Sequence, residues 1–382
     1  MIATRLCLVA LTGLLCAIVT TATFAAGIEY VVHISVDGLR ADAVTALGAS
    51  NAPNFFRLRS EGAFTDNART DADFTNTLPN HTSMLTGRGV NGASGHNYTA
   101  NGLPAPTTTL HTTKGSYVAS VFDVAHDHGL STGLYASKDK FIIYEQSYDA
   151  VSGAADTTGA DNGRDKIDSW VYDSDTTALV TRYLADMANT PYNYSLLHLR
   201  DPDSAGHGST WDLTPGGAYL DAVAAVDELL GDVLGQIESD PRLDGKTAVI
   251  LTSDHGGRLG THGHSPGSDT ENYTIPLYVW GAGIAAGGDL YTLNLFSRAD
   301  PGDTQPAYAA AGQPIRNADS GNLALDLLGF GPIPGSTVNA GQDLEVAAVP
   351  LPAALPLLSG GWIILSWLAR RPRYTPSLSR AR

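Results

Sequence analysis

Cysteine is nearly absent. The 382-residue chain has two, Cys7 and Cys16, both within the first 25 residues. The remaining chain therefore has no disulfide framework, thiol nucleophile or thiolate metal site, and its chemistry falls to Asp, Glu, His and hydroxyl groups. Positive charge is also scarce, with 23 Lys and Arg against 39 Asp and Glu, a formal charge of −16. All 39 acidic residues lie between residues 26 and 345, together with only 17 of the basic ones. Such a body repels nucleic acid and anionic membrane surfaces, so neither is an expected partner of the folded domain. An acidic protein that handles phosphate needs local positive charge, which bound metal ions supply. Internal repeats are missing too, which excludes a solenoid or propeller.

The long apolar runs lie at the two ends. Residues 1–25 carry Arg5, an apolar run from Leu6 to Val19 and then small residues. This is the pattern of a secretory signal peptide, cleaved after Ala25. Leu14-Leu15-Cys16 is a poor lipoprotein site, because Leu precedes the Cys. At the other end, Val349-Pro350-Leu351-Pro352-Ala353 leads into an apolar stretch over 354–369, followed by Arg370, Arg371 and Arg373. The stretch falls just short of the ~17–25 residues of a spanning helix, and the Arg cluster would stay cytoplasmic. Residues 346–382 resemble a PEP-CTERM sorting signal, with Val-Pro-Leu-Pro-Ala in place of the usual Val-Pro-Glu-Pro box. That resemblance implies an exosortase-type processing enzyme as partner. It also implies transient or stable anchoring in the inner membrane, and a final location in the periplasm, at the cell surface or in the extracellular matrix. A plain C-terminal anchor is the alternative.

Residues 26–345 read as one α/β domain. Short apolar runs typical of buried parallel strands occur at Tyr30–Val36, Ser131–Tyr135, Ser195–Leu199, Thr247–Thr252 and Pro276–Trp280. Helical patterns lie between them, at Asn54–Glu61, Val118–His128, Asp173–Met187 and Gly217–Glu238, with a last one at Asn317–Leu328. In Gly217–Glu238, Leu220, Val223, Val226, Leu230, Val233, Leu234 and Ile237 share one face. The alternation predicts a mostly parallel central sheet with helices on both faces, and ligands beyond the carboxyl ends of the strands. Residues 88–117 and 149–168 read as irregular, suited to covering the site.

Four segments carry the chemistry. Asp37-Gly38 follows the first strand, and Asp254-His255-Gly256-Gly257 follows the fourth. Asp203 and His207 are expected in a tight loop after the third strand, with His262 and His264 soon after Asp254-His255. Carboxylate and imidazole donors of this kind suit two divalent ions, best Zn²⁺, with a position left open to substrate. Thr77 is the candidate nucleophile, a weak one until a base or metal lowers its pKa. A helix starting after it would offer backbone N–H groups to phosphate. Thr75 and Thr82 are poorer candidates. Ser137-Lys138-Asp139-Lys140 reads as a solvated loop, with contact to substrate charge as the other reading.

Together these motifs resemble the alkaline phosphatase superfamily, in particular its nucleotide pyrophosphatase/phosphodiesterase (type I phosphodiesterase) branch, over residues 30–335. Thr77-Leu78-Pro79-Asn80-His81 with Leu85-Thr86-Gly87 matches the nucleophile motif. Asp37-Gly38, Pro202-Asp203-Ser204-Ala205-Gly206-His207 and Ser253-Asp254-His255-Gly256 match the metal motifs. The resemblance implies the alkaline phosphatase-like three-layer sandwich, with Asp37, Thr77, Asp254 and His255 holding one zinc ion. Asp203, His207 and a late His would hold the other. It also implies an Asn against a non-bridging phosphate oxygen, Asn101 as the best match and Asn97 second. The chain departs from the branch in having no His after His264, so His264 or His262 must be the last ligand, His264 favoured. A Cys/Ser-x-Pro-x-Arg nucleophile motif, as sulfatases carry, is absent.

The expected function is that of a secreted two-metal phosphoesterase of the phosphodiesterase type, acting on a small-molecule phosphate ester through a covalent phospho-threonine. The alternatives are a phosphomonoesterase or phosphonate hydrolase with the same site, or a non-catalytic metal-binding surface or matrix protein.

Overall fold

A computed structural model describes residues 27–153 and 164–347. The expected signal peptide, the PEP-CTERM-like segment from residue 348 onward and residues 154–163 of the second irregular stretch lie outside the described residues. Among the described residues, no helix is long and apolar enough to cross a membrane.

Eight strands form one sheet. They are β1 (Tyr30–Val36), β2 (Ala63–Arg69), β3 (Thr132–Ala136), β4 (Ser169–Tyr172), β5 (Tyr194–Leu199), β6 (Thr247–Thr252), β7 (Thr274–Gly281) and β8 (Gly288–Asp289). Their spatial order is β4-β3-β5-β1-β6-β7-β2-β8. Only β7 runs against its neighbours; β4, β3, β5, β1 and β6 are parallel throughout. The five apolar runs read from the sequence are β1, β3, β5, β6 and β7. They are continuous rather than alternating because both faces of the sheet are covered.

The side chains of β1 divide between two cores, as a period of two requires. Val31 joins Phe122, Leu134, Leu196, Ile250 and Leu323 on one face. Val32, Ile34 and Val36 join Leu179, Leu220, Val249 and Leu251 on the other. Each such fully buried aliphatic side chain contributes roughly 1.5–3 kcal/mol. The second core is roofed by the helix Ala218–Ser239, where all seven apolar residues of the expected stripe are buried. The result is the three-layer α/β sandwich that the alternation predicts.

The differences are local. The helix expected over Val118–His128 starts at Val121, because Ser120 caps it and exchanges reciprocal bonds with Asp123. The helix Thr176–Asn189 starts later than expected for a similar reason, since Asp175 accepts from Ala178 N. Strand β2, AFTDNAR, has too many polar residues to read as a buried strand; antiparallel pairing with β7 selects it.

Candidate active site and metal centre

Strands β3, β5, β1 and β6 lie side by side and run the same way, so their carboxyl ends open on one edge of the sheet. Lys138 follows β3, Asp203 follows β5, Asp37 follows β1, and Asp254 and His255 follow β6. Sequence-distant groups thus meet at one point. Gly38 fastens three of these ends together. Its N–H donates to Asp254 Oδ1 (3.1 Å), while Asp203 N donates to Asp37 O (3.0 Å). Gly38 has φ +69°, and a Cβ there would lie 2.9 Å from Asp203 Cα. Only glycine fits this approach.

Asp203 and His207 are not in a tight loop, as expected, but on the helix Asp201–Ser209. Pro202 suits a first helical turn, and Asp201 and Asp203 favour the positive end of the helix. Four residues apart, the two side chains share one face, with His207 Nε2 3.3 Å from Asp203 Oδ1.

The carboxylates follow one rule: one oxygen is bound by protein and the other is left bare. Asp37 Oδ2 accepts from His198 Nε2 (2.9 Å) and meets Lys138 Nζ (2.7 Å). Asp203 Oδ2 accepts from Lys138 Nζ (2.6 Å). Asp254 Oδ1 accepts from Gly38 N and from His255 N (3.0 Å). Asp37 Oδ1, Asp203 Oδ1, Asp254 Oδ2 and His255 Nε2 are buried without a hydrogen-bond partner. They converge: His255 Nε2 lies 3.5 Å from Asp37 Oδ1, 3.8 Å from Asp203 Oδ1 and 3.3 Å from Asp254 Oδ2. Bare buried acceptors are costly, and a cluster of them has the chemistry to receive a cation. Two groups of donors could each hold an ion: Asp37, Asp254 and His255, and Asp203, His255 and His264.

The imidazoles are oriented for this. His207, His255 and His264 each place Nδ1 on a backbone carbonyl, of His262 (2.6 Å), Gly256 (2.7 Å) and Thr75 (2.5 Å). With Nδ1 donating, Nε2 carries the lone pair that ligates metal. His264 is buried and stacks on His255 at 3.7 Å between ring centroids. His262 points its Nδ1 to His207 O (2.8 Å) instead and belongs to neither donor group.

Electrostatics set the proton inventory. Burial pushes the Asp254 carboxyl up to about 7, with the Asp37 charge adding to it. Burial would also raise Asp37, but Lys138 and the His198 hydrogen bond hold it well below the usual range. Asp203 likewise resists burial and the Asp37 charge, and is held at about 2 by His207 and Lys138. Burial, then the neighbouring His255, keep His264 neutral, its pKa down at about 3. Below about pH 7, a cation therefore competes with a proton for Asp254. Zinc affinity is expected to fall by up to about tenfold per pH unit below about pH 7, a loss read by dye competition near about pH 6 and about pH 8. A flat response would mean that Asp254 is ionised throughout.

Thr77 is buried and is the first residue of the helix Thr77–Thr86, which starts without a side-chain cap. The Thr75 and Thr82 hydroxyls donate to His264 O (2.6 Å) and Leu78 O (2.8 Å). The Thr77 hydroxyl has no partner among the described residues. His81, one turn on, meets Thr77 O (2.8 Å) and Ser35 Oγ (2.7 Å), with Nδ1 3.7 Å from Asp254 Oδ2. It ties the turn at Thr77 to β1 beside the Asp254 carboxylate. Asn101 reaches this helix from the irregular stretch over 88–117, with Oδ1 accepting from Leu78 N (2.9 Å). Asn97 turns away, its amide reaching Gly92 O and Val90 O.

Lys138 and His198 depart from the sequence reading as well. Lys138 is not a solvated loop residue; its side chain is 14% exposed and its ammonium sits between Asp37 and Asp203. His198 was overlooked; a His in an otherwise apolar strand was the only signal. A cavity of about 630 Å³ lies elsewhere, beside Phe296, Arg298 and Tyr308, and none of the candidate metal donors lines it.

The fold is an alkaline phosphatase-like α/β sandwich, with the candidate metal centre at the carboxyl ends of its parallel strands. Residues 31–265 match the model of the type I phosphodiesterase/nucleotide pyrophosphatase family, and the chain belongs to that family. Among solved structures, murine ectonucleotide pyrophosphatase/phosphodiesterase 5, an inactive variant in complex with AMP, aligns with a TM-score of 0.56 and 14% identity, over 83% of this chain and 99% of that one. A protein assigned as a sulfatase, from Bacteroides fragilis, aligns with a TM-score of 0.53 and 16% identity, over 85% and 80% of the two chains. At these identities the likeness is one of fold. The GPI ethanolamine phosphate transferases 1 of Mus musculus and Homo sapiens are each 33% identical, over 150 and 153 residues. Those matches cover 37% of this chain and 15% of each transferase, so the chain spans less than a fifth of these relatives' length.

Proposed function

We propose that this protein is an exported two-metal phosphoesterase of the phosphodiesterase/nucleotide pyrophosphatase type that works through a covalent phospho-threonine. The observation that carries the reading is the set of bare, buried donors, Asp37 Oδ1, Asp203 Oδ1, Asp254 Oδ2 and His255 Nε2. Their chemistry, carboxylate and neutral imidazole, fits Zn²⁺. Asp37, Asp254 and His255 would hold one ion. Asp203 and His264 would hold the second, with His207 alongside and the single Nε2 lone pair of His255 left to one ion at a time. Two divalent cations there would supply Lewis-acid charge to the Thr77 hydroxyl and to the phosphoryl and leaving oxygens.

The chain's own groups do the rest. Thr77 Oγ loses its proton to solvent and attacks phosphorus in line, and the bond to the leaving oxygen breaks as the Thr77–phosphorus bond forms. Asn101, with Oδ1 engaged by Leu78 N, is left to donate through Nδ2 to a non-bridging oxygen. Water then cleaves the phospho-threonine and regenerates the hydroxyl. Export and exosortase-type sorting from the membrane rest on the two terminal segments, and complete the proposal.

The test is hydrolysis of bis(p-nitrophenyl) phosphate and p-nitrophenyl phosphate by the full chain, with zinc added and then chelated. Zinc-dependent cleavage of the diester is expected. Cleavage of the monoester alone would move the protein to the phosphomonoesterase reading. Bound metal with no turnover on either ester would favour a non-catalytic metal-binding role.

A further inference from the structure

Two ammonium groups enter the site from the turn after β3, and they differ in what they meet. Lys138 is committed to carboxylates, with Nζ 2.7 Å from Asp37 Oδ2 and 2.6 Å from Asp203 Oδ2. Lys140 has no carboxylate at ion-pair distance among the described residues. Its Nζ donates to Asn101 Oδ1 (3.1 Å), the oxygen that also accepts from Leu78 N beside the nucleophile. In a chain so poor in basic residues, a half-buried cation beside Thr77 with no carboxylate in contact, and Asp37, Asp254 and Asp203 acting only at longer range, leaves its ammonium open to an anion that is not part of the protein. Burial, and then the neighbouring Lys138 charge, hold the Lys140 ammonium below its ordinary pKa. A bound anion would relieve both effects.

Resting on the phosphoesterase reading, we propose that Lys140 is a specificity-determining residue that recognises a second negative charge on or next to the reacting phosphorus. A simple diester carries one charge at that centre. A monoester carries a second on the same phosphorus, and a pyrophosphate linkage carries it on the neighbouring phosphoryl group. Lys140 engages that second charge while its bond to Asn101 turns the Asn101 Nδ2 donor toward the phosphoryl oxygens. The two lysines thus divide their work: Lys138 holds the carboxylates and Lys140 faces the substrate.

The experiment compares the zinc-loaded full chain with its Lys140→Met and Lys140→Arg variants on bis(p-nitrophenyl) phosphate, p-nitrophenyl phosphate and ADP-ribose. Zinc content serves as the control for an intact site. In Lys140→Met, kcat/KM is expected to fall on all three, but about 10- to 100-fold further on a doubly charged substrate than on the diester, the scale of a lost hydrogen bond to a charged group. Lys140→Arg should restore most of the difference. The substrate that shows the extra loss identifies the source of the second charge. An equal loss on all three, with zinc retained, would overturn the inference and leave Lys140 as a prop for Asn101. Calorimetric binding of inorganic phosphate to the zinc-loaded chain tests the inference without turnover. Equal phosphate affinity in the unsubstituted chain and Lys140→Met would overturn it, whereas failure of the phosphoesterase reading itself would appear as absent turnover in the unsubstituted chain.

Discussion

Thr77→Ala is expected to leave the fold and the zinc content intact while turnover falls on the order of 10⁴-fold or more, because losing a covalent nucleophile removes the step itself. The structure explains why the fold survives. The anchoring bond of this turn comes from the Thr77 backbone carbonyl to His81, and the neighbouring Leu78 N–H is held by Asn101. The side-chain hydroxyl has no partner among the described residues, so its removal strands no buried group. Thr75→Ala serves as the contrast. It removes a hydroxyl bonded to His264 O, so it should weaken zinc binding more than the chemical step. Undiminished turnover in Thr77→Ala would end the phospho-threonine mechanism.

His255→Ala should be the most damaging single change to metal content. Its Nε2 lies within reach of Asp37, Asp203 and Asp254 and belongs to both donor groups. Its single Nε2 lone pair serves one ion at a time, and without it either group is left with two donors. Zinc stoichiometry near zero is expected, with activity at background. Asp254→Ala and Asp203→Ala, which belong to one group each, should retain about half the metal. Mass-spectrometric metal analysis of the three variants decides this. Equal, partial loss in all three would mean that the two sites fill independently and that His255 matters to one of them only.

Much of the scaffold was legible because burial leaves a simple record in sequence. The apolar runs of β1, β5 and β6 and the stripe on the helix Ala218–Ser239 follow from a sheet covered on both faces. β2 was not legible, since its polar residues are tolerated only where β7 pairs with it. The helix carrying Asp203 and His207 was also hidden, because two glycines and two aspartates in nine residues resemble a turn.

The site divides in the same way. The candidate donors Asp37, Asp203, His207, Asp254 and His255 were legible from residue types and their places after strands, and the choice of Thr77 from the motif that resembles the family's. The sequence alone therefore determined the kind of chemistry open to this protein: oxygen and nitrogen ligation without thiols, in an acidic body that needs bound cations to meet a phosphate. Proximity was decided by the tertiary structure, because four parallel strands carry Lys138, Asp203, Asp37 and Asp254 to one edge. So was the contrast between His264, stacked on His255, and His262 two residues earlier, turned to the His207 carbonyl. The same holds for the commitment of Lys138 to two carboxylates while Lys140 is left without one. Spacing along a chain limits which groups can meet, but the charge each one faces is set by neighbours that come from other strands.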